Sequence, residues 1–228
     1  NIKINSFKLD ATIKNTLTTN SGSIPECNSY TSLEIENFKI DVAPFIVRYR
    51  LSQVGTRIIN NVVDLTNYVL YDIGQPLHAF DRDKLYGEIS VRKAKSNEKI
   101  ITLDGQERIL SKDDLIIVDN DKPIALAGVM GGLDTEVTAE TKNVLLESAY
   151  FDKVSIMKTS RKLNLISDAS IRFERGIDFK IQELGLIRFI ELSSKNSEIR
   201  YSKPILDDKK KLKNKYVKLQ KNEIYNIL

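Results

Sequence analysis

The chain has 228 residues and a formal charge of +4, from 35 Lys+Arg against 31 Asp+Glu, with 41% hydrophobic and 29% charged residues. These globular values exclude wholesale disorder, allow one large domain or two small ones, and permit a nucleic-acid partner without requiring one. The single Cys27 excludes a disulfide framework and, with His78 as the only histidine, a Cys/His zinc site. That usage fits a reducing cytoplasm, and no apolar run approaches the ~20 residues a membrane helix needs.

In chain order, Ile4–Leu9 and Leu33–Ile40 alternate with the period of two expected of strands with one wet face. Pro44 then suits a first helical turn, and the apolar spacing through Val54 predicts a short helix closed by Gly55. A clearer helix is expected over 60–74: Val62, Thr66, Val69 and Ile73 recur every three to four residues, and Gly74-Gln75-Pro76 stops them. From Ile89 to Tyr150 the pattern changes to short strands at 89–94, 99–103, 107–110, 115–118, 124–129 and 144–149, with Asp104-Gly105 as a hairpin signal. Helices are expected over 152–164, with Asp152 as N-cap, and 180–194. The predicted fold is α+β, a β-rich module of largely antiparallel strands with several packed helices. Lysines crowd 209–215 after Asp207-Asp208, which reads as a boundary: a solvated linker or a phosphate-contacting tract. Lacking a start Met and stopping at Leu228 within a helix-like pattern, the chain reads as a piece of something longer.

Three features could carry chemistry. His78 is the one side chain whose ordinary pKa lies near neutrality, and it follows a Gly-Gln-Pro turn, so it is expected on an irregular, fixed piece of backbone. It reads either as a general acid or base or as a hydrogen-bonding spacer packed under that turn. Gly128-Val129-Met130-Gly131-Gly132 ends a buried-looking strand and is either a structural turn or a place where backbone N–H groups meet a ligand. No Gly-Lys-Ser/Thr follows it, which excludes a Walker phosphate loop, and neither G-x-G-x-x-G nor G-x-S-x-G occurs. Glu147 interrupts the apolar run Val144-Leu145-Leu146…Ala149, where a carboxylate costs several kcal/mol unless paired or facing a wet cavity. An edge position, or an ion pair with an arginine such as Arg172 or Arg175, is the alternative.

Several blocks resemble the editing module in the β subunit of bacterial phenylalanyl-tRNA synthetase. They are Asn61-Val62-Val63-Asp64-Leu65-Thr66-Asn67-Tyr68-Val69-Leu70, Gly74-Gln75-Pro76-Leu77-His78-Ala79-Phe80-Asp81, Leu103-Asp104-Gly105, Leu126-Ala127-Gly128-Val129-Met130-Gly131-Gly132, Leu145-Leu146-Glu147-Ser148-Ala149, and the stretch from Asp168 to Asp178. They are colinear over about residues 40–200. The resemblance implies post-transfer editing: hydrolysis of tyrosine wrongly esterified to the phenylalanine tRNA, an error that a synthetic pocket shaped for an apolar ring cannot strongly reject. It implies that Glu147 meets the tyrosine hydroxyl, assisted by a backbone N–H near Gly131. Arg57 matches an arginine near the reacting end, His78 a histidine near the ester, and Thr66 with Asn67 a polar helix wall. Ala169 leaves room for the ring, Ala127 lies in a segment of small residues, and Ser167 stands where many relatives have threonine. No cofactor or metal is implied for this stretch; ATP and Mg belong to the parent ligase. Its partners would be the aminoacylated tRNA and, in an α2β2 tetramer, the α subunit, all in the cytoplasm and with no membrane. Residues 1–206 are expected to form the module, and 207–228 a basic linker and the start of the next domain. A module decayed to tRNA docking or subunit bridging is the competing reading.

Overall fold

The structure, a computed structural model, describes residues 11–22, 24–193 and 199–208. Strand β1 (Cys27–Glu36) ends where Asn37 turns to a φ of 56°. Helix α1 (Phe45–Gln53) follows Pro44 and buries only Val47 and Leu51, leaving Phe45, Ile46 and Tyr49 exposed. Helix α2 (Asn61–Ile73) is amphipathic. The Asn60 side chain accepts from Val63 N–H at 3.0 Å to cap its start, and Gly74, at a φ of 83°, ends it by donating to Leu70 O. Next come β2 (Leu77–Asp81), β3 (Ile89–Lys93), β4 (Lys99–Ile101), β5 (Glu107–Ile109), β6 (Leu115–Asp119), β7 (Lys122–Leu126), β8 (Met130–Gly131) and β9 (Val144–Phe151). Helices α3 (Lys153–Lys162), α4 (Asp168–Arg175) and α5 (Gln182–Ser193) precede the short β10 (Arg200–Tyr201) and β11 (Ile205–Asp208).

Every ladder between these strands is antiparallel. The α+β class expected from the sequence is the one observed. One sheet runs β10-β1-β9-β2, with β11 also on β1; a second runs β3-β6-β7-β8; β4 and β5 form a separate hairpin. The first sheet sits between two apolar layers because its strands alternate. Leu33, Ile35, Val144 and Leu146 face helices, packing with Val62, Leu65 and Val69 of α2 and Leu186, Phe189 and Ile190 of α5. Tyr30, Phe80, Leu145 and Ala149 face the second sheet, packing with Val91, Ile117 and Leu126 and with Ile156 of α3 and Phe173 of α4. Burying a side chain of this size contributes about 1.5–3 kcal/mol.

The departures from expectation have local causes. Strand β1 begins six residues before the expected Leu33 and stops before Ile40. Its polar start, Cys27 to Ser32, gives no alternating apolar signal, yet it is buried because β9 and β11 flank it. His78 lies on a regular edge strand, not on irregular backbone, since the chain leaving the Gly74-Gln75-Pro76 turn pairs at once with β9. Helix α4 was not expected as an element. Ser167 and Ser170 close a capping box at its start, a signal that the more usual Glu or Gln would have made plainer. Strand β11 runs to Asp208, and Asp207 accepts from Ser21 N–H and Oγ, each at 2.6 Å. The strand expected over 4–9 and the basic stretch 209–228 lie outside the described residues.

One buried ionic group ties the segment before β1 to the first sheet. Glu34, on β1, accepts from Thr16 N–H at 2.6 Å, Leu17 N–H at 2.8 Å and Arg82 Nε at 3.1 Å. These bonds outweigh its burial and hold its carboxyl below the usual range. Its stabilisation is therefore present above the unfolded carboxylate pKa and is lost as pH falls through the lower folded value. Glu34→Gln is expected to cost about 2–3 kcal/mol at pH 7 in urea denaturation, with the deficit shrinking toward pH 3.

Candidate functional site

Three polar side chains meet on the face of the first sheet that looks at the second. Glu147 on β9 stands directly opposite His78 on β2 and Ser32 on β1, so all three share a face. Tyr30, two residues before Ser32, points the same way, and its hydroxyl donates to Glu147 Oε2 at 3.2 Å. Between this face and the β6–β7–β8 meander lies a cavity of about 400 Å³, counting its open mouth. His78 and Glu147 are its titratable groups. Ile117, Leu126 and Met130 supply apolar wall, and α4 closes one side with Ala169 and Phe173.

The glycines of the 126–132 stretch serve different ends. Gly128 has a φ of 66° in the turn where Val129 N–H donates to Leu126 O, and a Cβ there would press on Phe173, Ile156 and Phe151 at 3.0–3.1 Å. At Gly131 a Cβ would sit 2.5 Å from His78 Cε1 and 2.7 Å from Nε2, so the imidazole lies flush on bare backbone. Phe80 meets the same ring edge-on at 4.4 Å between centroids. Gly132 N–H donates to Ile124 O, which makes Ala125–Gly131 the next, non-bonded pair of the ladder. The alternation turns Gly131 N–H away from β7, the side on which Leu103 N–H donates to Gly131 O at 3.0 Å.

Burial dominates the electrostatics. It raises the Glu147 carboxyl to about 8, against a smaller lowering by the Tyr30 hydrogen bond, and lowers the His78 imidazole to about 4. Tyr30 is pushed well above the usual phenol range by burial and by the neighbouring Glu147. At pH 7 the cavity therefore holds a neutral acid and a neutral imidazole, a polar pair without net charge.

Of the residues singled out from the sequence, the structure brings His78, Gly131, Glu147 and Ala169 to one cavity. Ser167 is close by but occupied: its Oγ caps α4 by accepting from Ser170 N–H and donates to Val129 O at 2.8 Å, latching the helix to the glycine turn. Ala127 is buried within that turn, its N–H bonded to Leu115 O, and is not part of the wall. Thr66 is buried on α2, on the other side of the sheet, with Oγ1 bonded to Val63 O at 2.7 Å. Asn67 is one turn before Tyr71 on the same side of α2, and Tyr71 donates to Asp168 Oδ2 at 3.0 Å, beside Ala169. Arg57 is exposed on the loop before α2, next to Thr56, whose Oγ1 donates to Tyr71 at 3.3 Å. Arg57 and Asn67 thus neighbour the chain of contacts that reaches α4, outside the cavity itself. Glu147 has no ion pair with an arginine among the described residues; Arg172 instead lies over the Tyr71 ring.

Sequence reasoning passed over Tyr30 and Phe173. Tyr30 shares strand parity with Ser32 and Glu34, but nothing local says that this face meets Glu147. No cluster of three or more His, Cys, Asp or Glu side chains among the described residues is arranged to hold a metal ion.

The chain belongs to the B3/4 domain family, which matches residues 26–198. It is 51% identical over 163 residues to the phenylalanine–tRNA ligase beta subunit of Carboxydothermus hydrogenoformans, covering 71% of this chain and 20% of that protein. With the same subunit of Aquifex aeolicus it is 50% identical over 155 residues, covering 68% and 20%. The family resemblance read from the sequence is borne out, and the chain spans about a fifth of the length of these relatives. Among solved structures, an N-terminal fragment of the phenylalanyl-tRNA synthetase beta-subunit from Pyrococcus horikoshii shares the fold, with a TM-score of 0.55 over 83% of this chain and 51% of that one, at 15% identity.

The two buried groups make opposite contributions to stability. Glu147, raised when folded, contributes stability that falls as pH rises from about 4.5 to about 8; His78, lowered when folded, contributes stability that falls as pH drops from 6.5 to about 4. Below 6.5 the slopes oppose each other, and above it the Glu147 slope acts alone. Urea denaturation is expected to show wild-type stability declining from pH 6.5 to 8 and Glu147→Gln staying level there.

Proposed function

We propose that this cavity removes tyrosine wrongly esterified to the 3′ end of the phenylalanine tRNA, and that the chain is the editing module of a phenylalanine–tRNA ligase β subunit. The observation that carries this reading is Glu147, a carboxyl buried in a largely apolar cavity with Tyr30 as its hydrogen-bond partner. A tyrosine ring entering between Ala169, Phe173 and Met130 would set its hydroxyl against Glu147. A phenylalanine ring would leave the same carboxyl facing carbon. Polar groups built for a hydroxyl reject the analogue that lacks it, by up to ~10⁴-fold, so this site inverts the preference of a synthetic pocket shaped for an apolar ring.

The chemistry asked of the site is modest. Water attacks the ester carbonyl, the tetrahedral intermediate collapses, and the terminal ribose oxygen leaves with a proton, giving free tyrosine and intact tRNA. An activated ester needs chiefly a positioned water and some support for the oxyanion. An imidazole lowered to about 4 is a weak base but a good neutral hydrogen-bonding group, so His78 is assigned to orienting water or ribose. Gly131 N–H is assigned to the substrate hydroxyl. Arg57 and Asn67, at the rim, are assigned to the terminal nucleotide, while Ser167, Ala127 and Thr66 hold the turn, α4 and α2 in place. In the parent enzyme the tRNA and the α subunit are the partners, ATP and Mg serve the ligase reaction elsewhere in the assembly, and the setting is the cytoplasm.

Single-turnover deacylation tests this. Glu147→Ala is expected to slow tyrosyl-tRNA hydrolysis at least ~10²-fold while leaving the slow phenylalanyl reaction unchanged. Loss of fold in that variant, or equal loss for both esters, counts against the assignment. A wild-type chain that binds but does not hydrolyse tyrosyl-tRNA would instead mark a docking module. For His78, the Gln variant is expected to keep most of the rate that Ala loses, with no histidine limb between pH 5.5 and 7; a clear limb there with an inactive Gln variant would assign general-base catalysis instead.

A further inference from the structure

Glu147 lines the cavity as a carboxyl with two unequal oxygens. Oε2 accepts from Tyr30 and is thereby turned toward β1, which leaves Oε1 as the oxygen offered to the cavity. Tyr30 itself is fully buried, is not part of the cavity wall, and sits on the strand adjacent to that of Glu147. Its phenol spends its hydrogen on a carboxyl that pairs with no cation among the described residues. A phenol donating to Oε2 favours that oxygen as the carbonyl oxygen of the neutral acid, which favours the proton on Oε1.

We infer that Tyr30 is a positioning residue for tyrosine recognition: its hydroxyl fixes which oxygen of Glu147 faces the ligand and holds that oxygen ready for the ligand's phenol. Within the cavity the neutral acid donates to the ligand phenol through Oε1. Once ionised, Oε1 accepts from that phenol, and the carboxylate is shared by two phenols, one from the protein and one from the substrate. In either state a carboxyl released from Tyr30 is free to rotate and presents its two oxygens interchangeably, which weakens the distinction between a hydroxyl and a hydrogen on the ring. This inference rests on the editing reading for its ligand, while the Tyr30–Glu147 coupling belongs to the free protein.

The test uses the full chain and two readouts. Carboxyl-carbon NMR of the free protein follows the Glu147 titration, and single-turnover hydrolysis compares tyrosyl- and phenylalanyl-tRNA across pH 6–9. Tyr30→Phe keeps the ring and removes the hydroxyl. It is expected to raise the Glu147 midpoint above its wild-type value near 8, because a bond that favours the ionised form is lost. The tyrosyl preference is expected to fall about tenfold or more, with the phenylalanyl rate unchanged, and its pH dependence to move upward with the midpoint. In a Glu147→Gln background the same change should have no further effect on the ratio. A wild type that discriminates, paired with a Tyr30→Phe variant of equal preference and unshifted midpoint, overturns the inference alone. A wild type that does not prefer the tyrosyl ester overturns the editing reading and the specificity role with it. Should Tyr30→Phe fail to fold, replacing tyrosine by fluorotyrosine throughout strengthens the phenol as a donor. The Glu147 midpoint must then fall, and an unmoved midpoint overturns the coupling.

Discussion

A carboxyl in the middle of a buried strand is the feature around which this structure is arranged. Glu147 lies on β9, the strand that holds β1 and β2 together, and is 5% exposed. Left unpaired in an apolar interior, such a group costs several kcal/mol as an anion, and the molecule answers in two ways. Tyr30 supplies a donor from the neighbouring strand, and burial shifts the equilibrium so that the group is neutral at pH 7. The remaining oxygen faces a cavity. A fold selected for stability alone would fill that place with another leucine, and the proposed ligand role accounts for the cost that is retained.

The rest of the cavity follows from how two sheets are held apart. The first sheet turns Tyr30, Ser32, Glu147 and His78 to one side, while its other side packs on α2 and α5. The second sheet cannot close fully on the His78 end, because the imidazole lies on Gly131 and the turn at Gly128 is pressed between Phe151, Ile156 and Phe173. Helix α4 then shuts the remaining side. The Ser167 hydroxyl pins its first turn to Val129 O, so the small Ala169 is held at the wall. Residues that touch no ligand thereby decide how much room a ligand has.

Glu147 and His78 stand opposite each other on neighbouring strands, so the proposed reading of a ring hydroxyl and the proposed positioning of water fall on one face of one sheet. In that proposal the carboxyl makes the choice and the imidazole assists an undemanding hydrolysis, and both are placed by the register of β2 on β9.

Much of this was legible in the linear chain. Helix α2 was readable to within a residue because its signals are local: apolar residues every three to four positions and a glycine at the left-handed stop, each acting within four residues. The Asp104-Gly105 hairpin and the Asp152 cap were readable for the same reason, and the colinear blocks were specific enough to place the family. The anomaly of Glu147 was visible too, as one charge in an apolar run. Its partner was not. Tyr30 is 117 positions away in sequence, and strand order alone brings them together. The same holds for the polar start of β1, for the edge strand that carries His78, and for Thr66, whose helix proved to cover the opposite face. Caps and turns are settled by neighbours along the backbone. Which strand lies beside which, and so which face of an alternating strand meets a cavity, is settled by the packing of the whole core, and only the tertiary structure decides it.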